Sequence, residues 1–261
     1  KISDNHFWLS IADSDVLLWC NGVASTNKFN VELSEPDVSP LALQGPKASK
    51  VMEKIVGSWA NNLKFFYFKE TNIENIPVIV AKSGWSGESG YEIYLKDGIR
   101  GNKLWEIIME AGKEFNIAPA APSQICRIEG GMLSYGSDMT LQENPYDLNL
   151  GKFVQIDKYA DFLSKKSLSV INIEGSKKEL VGIEIIGKPF SDHVGDHLNM
   201  FEEKNAIGII TSSVYSPRLK KNIGLALINR RKEKLDKAYS IKINNNLMNV
   251  KICKLPFMRN K

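Results

Sequence analysis

SGWSGESGYEIYL (83–95) changes character halfway along. As far as Ser89 it is Gly and Ser around a single aromatic, Trp85, the chemistry of a tight turn. From Tyr91 the apolar residues Tyr91, Ile93 and Leu95 alternate with Glu92 and Tyr94, the period of a strand with one buried face. Glu92 and Tyr94 therefore share one face of that strand. A carboxylate beside an aromatic ring admits two readings. It is either a solvated edge feature or a ligand clamp, in which the carboxylate pairs with two adjacent N–H donors of a heterocycle.

Working outward, the upstream chain reads as short alternating elements. Residues 7–12 (FWLSIA) read as a strand, and Asp13-Ser14-Asp15 offers N-cap oxygens to an amphipathic helix, VLLWCNGVAS. A strand over 38–43 runs into Gln44-Gly45-Pro46, and Pro46 suits the start of a helix over 47–56. Residues 62–70 are rich in aromatics, and 76–82 read as a strand with Pro77 at its edge. Downstream, the spacing of Leu104, Ile107, Ile108 and Ala111 predicts a helix over 102–115, and a second helix is expected over 123–133. Residues 164–179 look like a connection. Beyond them come strands only, at 180–186, 206–212, 223–228, 240–243 and 248–254, spaced for a small antiparallel barrel or sandwich. The expected class is α+β, with an α+β domain over 1–165 and an all-β domain over 178–261.

Composition excludes several function classes. Hydrophobic residues make up 43% and charged residues 25%, which suits a folded core rather than disorder. The net charge of +4 is spread along the chain, with basic runs near 164–167 and 230–234 that read as solvated surface. No nucleic-acid partner follows from that pattern, and no apolar run approaches the roughly 20 residues of a membrane span. Cys20, Cys126 and Cys253 stand far apart in apolar stretches, which points to reduced, buried thiols in a cytoplasmic protein. No P-loop, GxGxxG, HExxH or GxSxG motif is present. His193 and His197 are four apart, but Gly195 and Asp196 between them favour a turn, so no metal site is expected. Arg127 and Glu129 read as a charge pair on a helix surface, and Tyr215-Ser216-Pro217-Arg218 as a turn between strands. The chain opens on Lys1 and enters an apolar stretch almost at once, which reads as a fragment lacking an N-terminal block.

Five segments taken in order resemble the glycine-cleavage T-protein family: LALQGPKA (41–48), SGWSGESGYEIYL (83–95), RIEGGMLSYGSDM (127–139), SPRLKKNIGLALI (216–228) and LPFMRNK (255–261). Any one is weak, but five in the correct order are specific, and together they reach across the whole chain. FWLSIADSDVLLW and Trp85 look like the members that demethylate dimethylsulfoniopropionate, whereas Gly87-Glu88 looks more like ordinary T-proteins.

The resemblance implies a folate-binding T-protein-like domain, incomplete at its N-terminus, followed by a small antiparallel β-barrel. It also implies tetrahydrofolate as methyl acceptor and a small-molecule methyl donor as the second partner, with a homodimer as the oligomer to consider. Glu92 matches the carboxylate that members direct at the pterin. Arg127 and Arg259 match basic positions near the folate, and Ser10 and Phe66 are further residues of the cofactor pocket. Trp85 and Tyr94 match positions lining the substrate and cofactor pocket and are the implied catalytic pair, since their rings suit a sulfonium cation. Aminomethyl transfer, demethylation of amines or aryl methyl ethers, and a folate-binding protein without catalysis are the competing readings.

Overall fold

In the computed structural model, residues 1–11, 15–191, 197–230, 237–243 and 246–258 are described. Helix α1 (Val16–Thr26) begins where Asp15 accepts a hydrogen bond from the Leu18 N–H at 2.9 Å. Strand β1 (Ser39–Gln44) leads through Pro46 to α2 (Ala48–Val56). Strands β2 (Phe68–Ile73), β3 (Ile76–Ala81) and β4 (Gly90–Leu95) follow, then α3 (Gly101–Gly112) and α4 (Gln124–Glu129). The four strands form an antiparallel sheet in the order β1-β4-β3-β2.

The alternation in β4 decides which face of this sheet is dry. Tyr91, Ile93 and Leu95 are buried with Val78 and Val80 of β3, under Val51 and Met52 of α2 and Leu104 and Ile108 of α3. Burying each large side chain of this kind contributes about 1.5–3 kcal/mol, so a shift of β4 by one residue would be strongly resisted. The other face carries Glu92 and Tyr94, both half-buried.

Helix α5 (Lys165–Glu174) precedes the second sheet, which comprises β5 (Lys178–Ile185), β6 (Leu198–Glu202), β7 (Asn205–Ser216), β8 (Lys221–Asn229), β9 (Tyr239–Ile243) and β10 (Asn246–Cys253). These six strands close into a barrel in the order β10-β5-β8-β7-β6-β9. Its interior is filled by Val181, Ile183, Ile207, Ile210, Ile228 and Ile241 among others. A third apolar cluster joins α4 to the barrel: Ile128 of α4 lies with Leu180, Ile223 and Leu225.

Several local expectations are corrected. Residues 7–11 form no strand: Phe7, Leu9 and Ile11 are exposed, and among the described residues no neighbouring strand takes up their backbone groups. Helix α1 forms but buries none of its residues. The expected connection at 164–179 contains α5, and the helix expected over 123–133 is only α4, ending at Gly130 and at Gly131, whose φ is +67°. Strand β6 was not expected, because its five residues (LNMFE) carry no clear alternation. The choice between barrel and sandwich resolves to a closed barrel.

Candidate functional site

Strand register builds an open shelf around Glu92. Directly opposite Glu92 stand Ala42 on β1 and Ala81 on β3, so small side chains flank the carboxylate on both sides. One step along, Tyr94 faces Pro40 and Ile79. Cross-strand partners of this kind share a face, so the carboxylate rises between small apolar side chains. Its Oε2 accepts hydrogen bonds from the Ser83 hydroxyl and, at 3.3 Å, from the Tyr94 hydroxyl. Burial pushes the Tyr94 phenol above its usual range, the hydroxyl of Ser10 acts in the opposite direction, and Glu92 raises it further. Tyr94 is therefore a neutral donor at physiological pH. Ser10 reaches this group from the extended N-terminal segment, itself exposed.

The 83–89 loop passes beside the shelf. Gln44, at the end of β1, threads its side chain between Gly84 and Gly90: a Cβ at either glycine would lie 2.1–2.3 Å from the Gln44 amide. From there Gln44 Nε2 donates to the Ser83 carbonyl at 3.1 Å, and its Oε1 accepts from the Ser86 hydroxyl at 2.7 Å. Trp85 projects from the turn, 36% exposed, with its indole N–H donating to the Leu133 carbonyl at 2.8 Å. The Arg127 guanidinium carbon lies 5.5 Å from its ring centroid, a cation–π contact on that side of the indole.

Arg127 and Glu129 do not form the surface pair expected of them. Each is 1% exposed, and each bonds elsewhere. Arg127 donates to the Asp138 carboxylate at 2.7 Å, the Ser212 hydroxyl at 2.9 Å, the Met132 carbonyl at 3.1 Å and the Gln124 side chain. Asp138 in turn accepts from Thr211 and Ser212 of β7, so the pair fastens α4 to the barrel. Glu129 accepts from Ser216 and from Arg218, whose side chain also reaches Glu88 in the 83–89 loop. Packing of the barrel onto α4 is what buries these charges, and a single segment contains no signal for it.

The structure thus brings Ser10, Glu92 and Tyr94 together, and places Trp85 on the adjoining 83–89 loop against Arg127, which is closed off from solvent. Phe66 has its ring contacts elsewhere: 65% exposed, with φ of +65°, its ring is tilted against Phe65 at 4.1 Å and meets Phe153 edge-on at 6.3 Å. Arg259 and His193 lie outside the described residues. Gln44, Ser83, Asp138 and Arg218 join the site without having been singled out as site residues. Only the glycines at 84 and 90, spaced to admit a side chain, hinted at Gln44. A cavity of about 430 Å³ between the 146–158 segment and α5, lined by Tyr146, Lys158 and Asn172, shares no residue with the shelf. Cys20, Cys126 and Cys253 are free and half-buried, less enclosed than expected. Among the described residues no helix is long and apolar enough to cross a membrane, and no group of His, Cys, Asp or Glu side chains gathers for a metal ion.

Comparison with known proteins agrees with this architecture. Residues 1–158 match the GCVT N-terminal domain, and residues 178–258 match the glycine cleavage T-protein C-terminal barrel domain. The chain belongs to the glycine cleavage T-protein family. Among its relatives, dimethylsulfoniopropionate demethylase DmdA of Ruegeria pomeroyi is 34% identical over 230 residues, covering 88% of this chain and 62% of that protein. An aminomethyltransferase of Caldanaerobacter subterraneus is 34% identical over 251 residues, 94% of this chain and 66% of that protein. A Geobacillus aminomethyltransferase is 33% identical over 267 residues, with 99% and 71% covered. The chain thus spans 62–66% of the length of the first two relatives. The crystal structure of glycine cleavage system aminomethyltransferase T from Bartonella henselae shares the fold, with a TM-score of 0.74 over 92% of this chain and 66% of that one, at 21% identity.

Proposed function

We propose that this protein is a tetrahydrofolate-dependent methyltransferase that demethylates dimethylsulfoniopropionate, giving 5-methyltetrahydrofolate and methylmercaptopropionate, with domains over 1–165 and 178–261. The observation that carries the reading is the shelf formed by Ala42, Glu92 and Ala81, with Tyr94 bonded to the carboxylate and Trp85 on the adjoining loop.

The residues present fit a reduced folate. A pterin offers adjacent N–H donors on a flat ring, and Glu92 offers a carboxylate between two alanines. Glu92 takes the pterin N–H groups by charge-assisted hydrogen bonds, which are roughly twice as strong as neutral ones. Tyr94 and Ser83, donating to the same carboxylate, fix its direction. When bound, tetrahydrofolate supplies the nucleophilic N5 that accepts the methyl group.

A sulfonium methyl carries its own leaving group. The methyl–sulfur bond breaks, its electron pair stays on sulfur as a neutral thioether, and the N5 proton goes to solvent. The protein therefore supplies alignment and a place for a cation rather than a nucleophile. Trp85 and Tyr94 offer ring faces, worth about 0.5–1 kcal/mol to a cation when exposed and about 2 kcal/mol when desolvated. Arg127 occupies one side of Trp85 with its charge balanced by Asp138, which leaves the other side of the ring for the donor. Arg259 serves the folate's glutamyl carboxylates, Phe66 adds an apolar wall, and the free cysteines suit a reducing, cytoplasmic setting.

The second reading is aminomethyl transfer. It is favoured by Gly87-Glu88 and by relatives of that name at 33–34% identity. The two are separated by incubating the protein with tetrahydrofolate and dimethylsulfoniopropionate and following both products by mass spectrometry. Stoichiometric appearance of the two products supports demethylation. Tetrahydrofolate binding without either product discards this donor and turns attention to amine-linked one-carbon donors.

A further inference from the structure

Arg218 stands on the turn between β7 and β8, in the barrel, yet its longest reach is into the loop that carries Trp85. Its Nε donates to Glu129 Oε2 at 2.8 Å and its Nη2 donates to the same oxygen, while Nη1 points outward to Glu88 Oε1 at 2.5 Å. Glu129 is 1% exposed and is held by Ser216, so the guanidinium is anchored at its inner end rather than free on the surface. Both carboxylates hold the guanidinium firmly in its charged form by hydrogen bonding.

The loop beyond Glu88 is wired in series. Glu88 donates its backbone N–H to the Ser86 hydroxyl at 3.2 Å, and Ser86 donates to Gln44 at 2.7 Å. Gly87, with φ of +69°, presses so closely on α4 that a Cβ there would lie 3.0 Å from the Gly130 Cα. Trp85 is therefore held from β1 through Gln44, from the 132–133 segment through Leu133, and from the barrel through Arg218. Glu88 is the single side-chain contact of this loop with the barrel among the hydrogen bonds and ion pairs described.

We propose that Arg218 is a positioning residue, which fixes the 83–89 loop from the barrel and so sets where the Trp85 ring stands. It touches neither methyl donor nor folate and acts through Glu88. The proposal rests on Trp85 facing the donor, and the two are separable by experiment.

The test is Glu88→Gln, which removes the outer ion pair and leaves the Arg218–Glu129 pair intact, alongside Arg218→Lys and Arg218→Gln. Hydrogen–deuterium exchange of peptides spanning 83–95 is the first readout. The expected result is about tenfold faster exchange at 86–88 in Glu88→Gln, partial restoration in Arg218→Lys relative to Arg218→Gln, and unchanged exchange in β7 and β8 of Glu88→Gln. In steady-state assays KM for the sulfonium donor rises about tenfold in Glu88→Gln, while tetrahydrofolate affinity stays within about twofold. Wild-type exchange at 86–88 in Glu88→Gln overturns the proposal, because the loop is then held without the barrel. Faster exchange with no change in KM upholds Arg218 as the loop's anchor and removes Trp85 from the donor site.

Discussion

The two sheets of this molecule solve the same burial problem in opposite ways. The barrel closes on itself, and six strands surround an interior of Ile, Val and Met with no open edge. The β1-β4-β3-β2 sheet remains open, covers only one face with α2 and α3, and leaves Glu92 and Tyr94 on the other. An enclosed barrel has little room for a ligand between its strands. A sheet with one face only partly covered provides a surface on which a carboxylate, two alanines and the Tyr94 ring meet. Where α4 meets the barrel, the contact is partly apolar and partly ionic: Ile128 packs with Leu225, and beside it Arg127 pairs with Asp138 and donates to Ser212 of β7.

The largest effect is expected at that ionic contact. Arg127→Ala leaves Asp138 buried with only hydroxyl and backbone N–H partners, and should cost about 3–5 kcal/mol in urea denaturation. Replacing Arg127 and Asp138 together with apolar residues should cost far less, since no charge is then left buried alone. If the double variant were as unstable as the single one, charge pairing would not be what holds this contact.

Next in size is the barrel interior. Ile228→Ala removes a fully buried side chain and should cost about 2–5 kcal/mol by the same measurement. Folate affinity under native conditions should remain within about twofold, because the barrel interior does not reach the shelf. A large loss of affinity would erase the distinction between a sheet that binds and a barrel that supports.

The smallest effect concerns Tyr94. Its folded-state phenol titrates above the usual value of about 10, so the native state holds its proton longer than the unfolded chain does. Stability from this group is fully present below about pH 10 and is lost as pH rises through the folded value. Tyr94→Phe should therefore differ from the wild type by a constant amount up to about pH 10, and the wild type should fall more steeply above it. Parallel stability curves throughout the alkaline range would mean that Tyr94 is not held by its surroundings.

What was legible in the sequence follows the reach of each physical cause. Tyr91, Ile93 and Leu95 alternate within five residues, so the buried face of β4 and the common face of Glu92 and Tyr94 could be read directly. The α2 start at Pro46 and the Asp15 cap are equally local. The burial of Arg127 and Glu129 was not legible, because it comes from β7, some 85 positions away for the Arg127–Ser212 bond. The strand expected at 7–12 does not form over 7–11 for a related reason: alternation and apolar content predict a strand only where another strand offers its edge. Arg218 read as part of a turn, and its partners Glu88 and Glu129 lie 130 and 89 positions away.

The most direct test of the central claim is titration of tetrahydrofolate into wild type, Glu92→Gln and Trp85→Ala, with melting temperatures taken in parallel. A charge-assisted hydrogen bond contributes about 1.5–3 kcal/mol, so Glu92→Gln should weaken binding by roughly 10- to 100-fold with little change in melting. Trp85→Ala should leave folate affinity within a few-fold of wild type and act on the donor instead. Equal folate affinity in wild type and Glu92→Gln would contradict the account, because the shelf would then not be where the pterin sits.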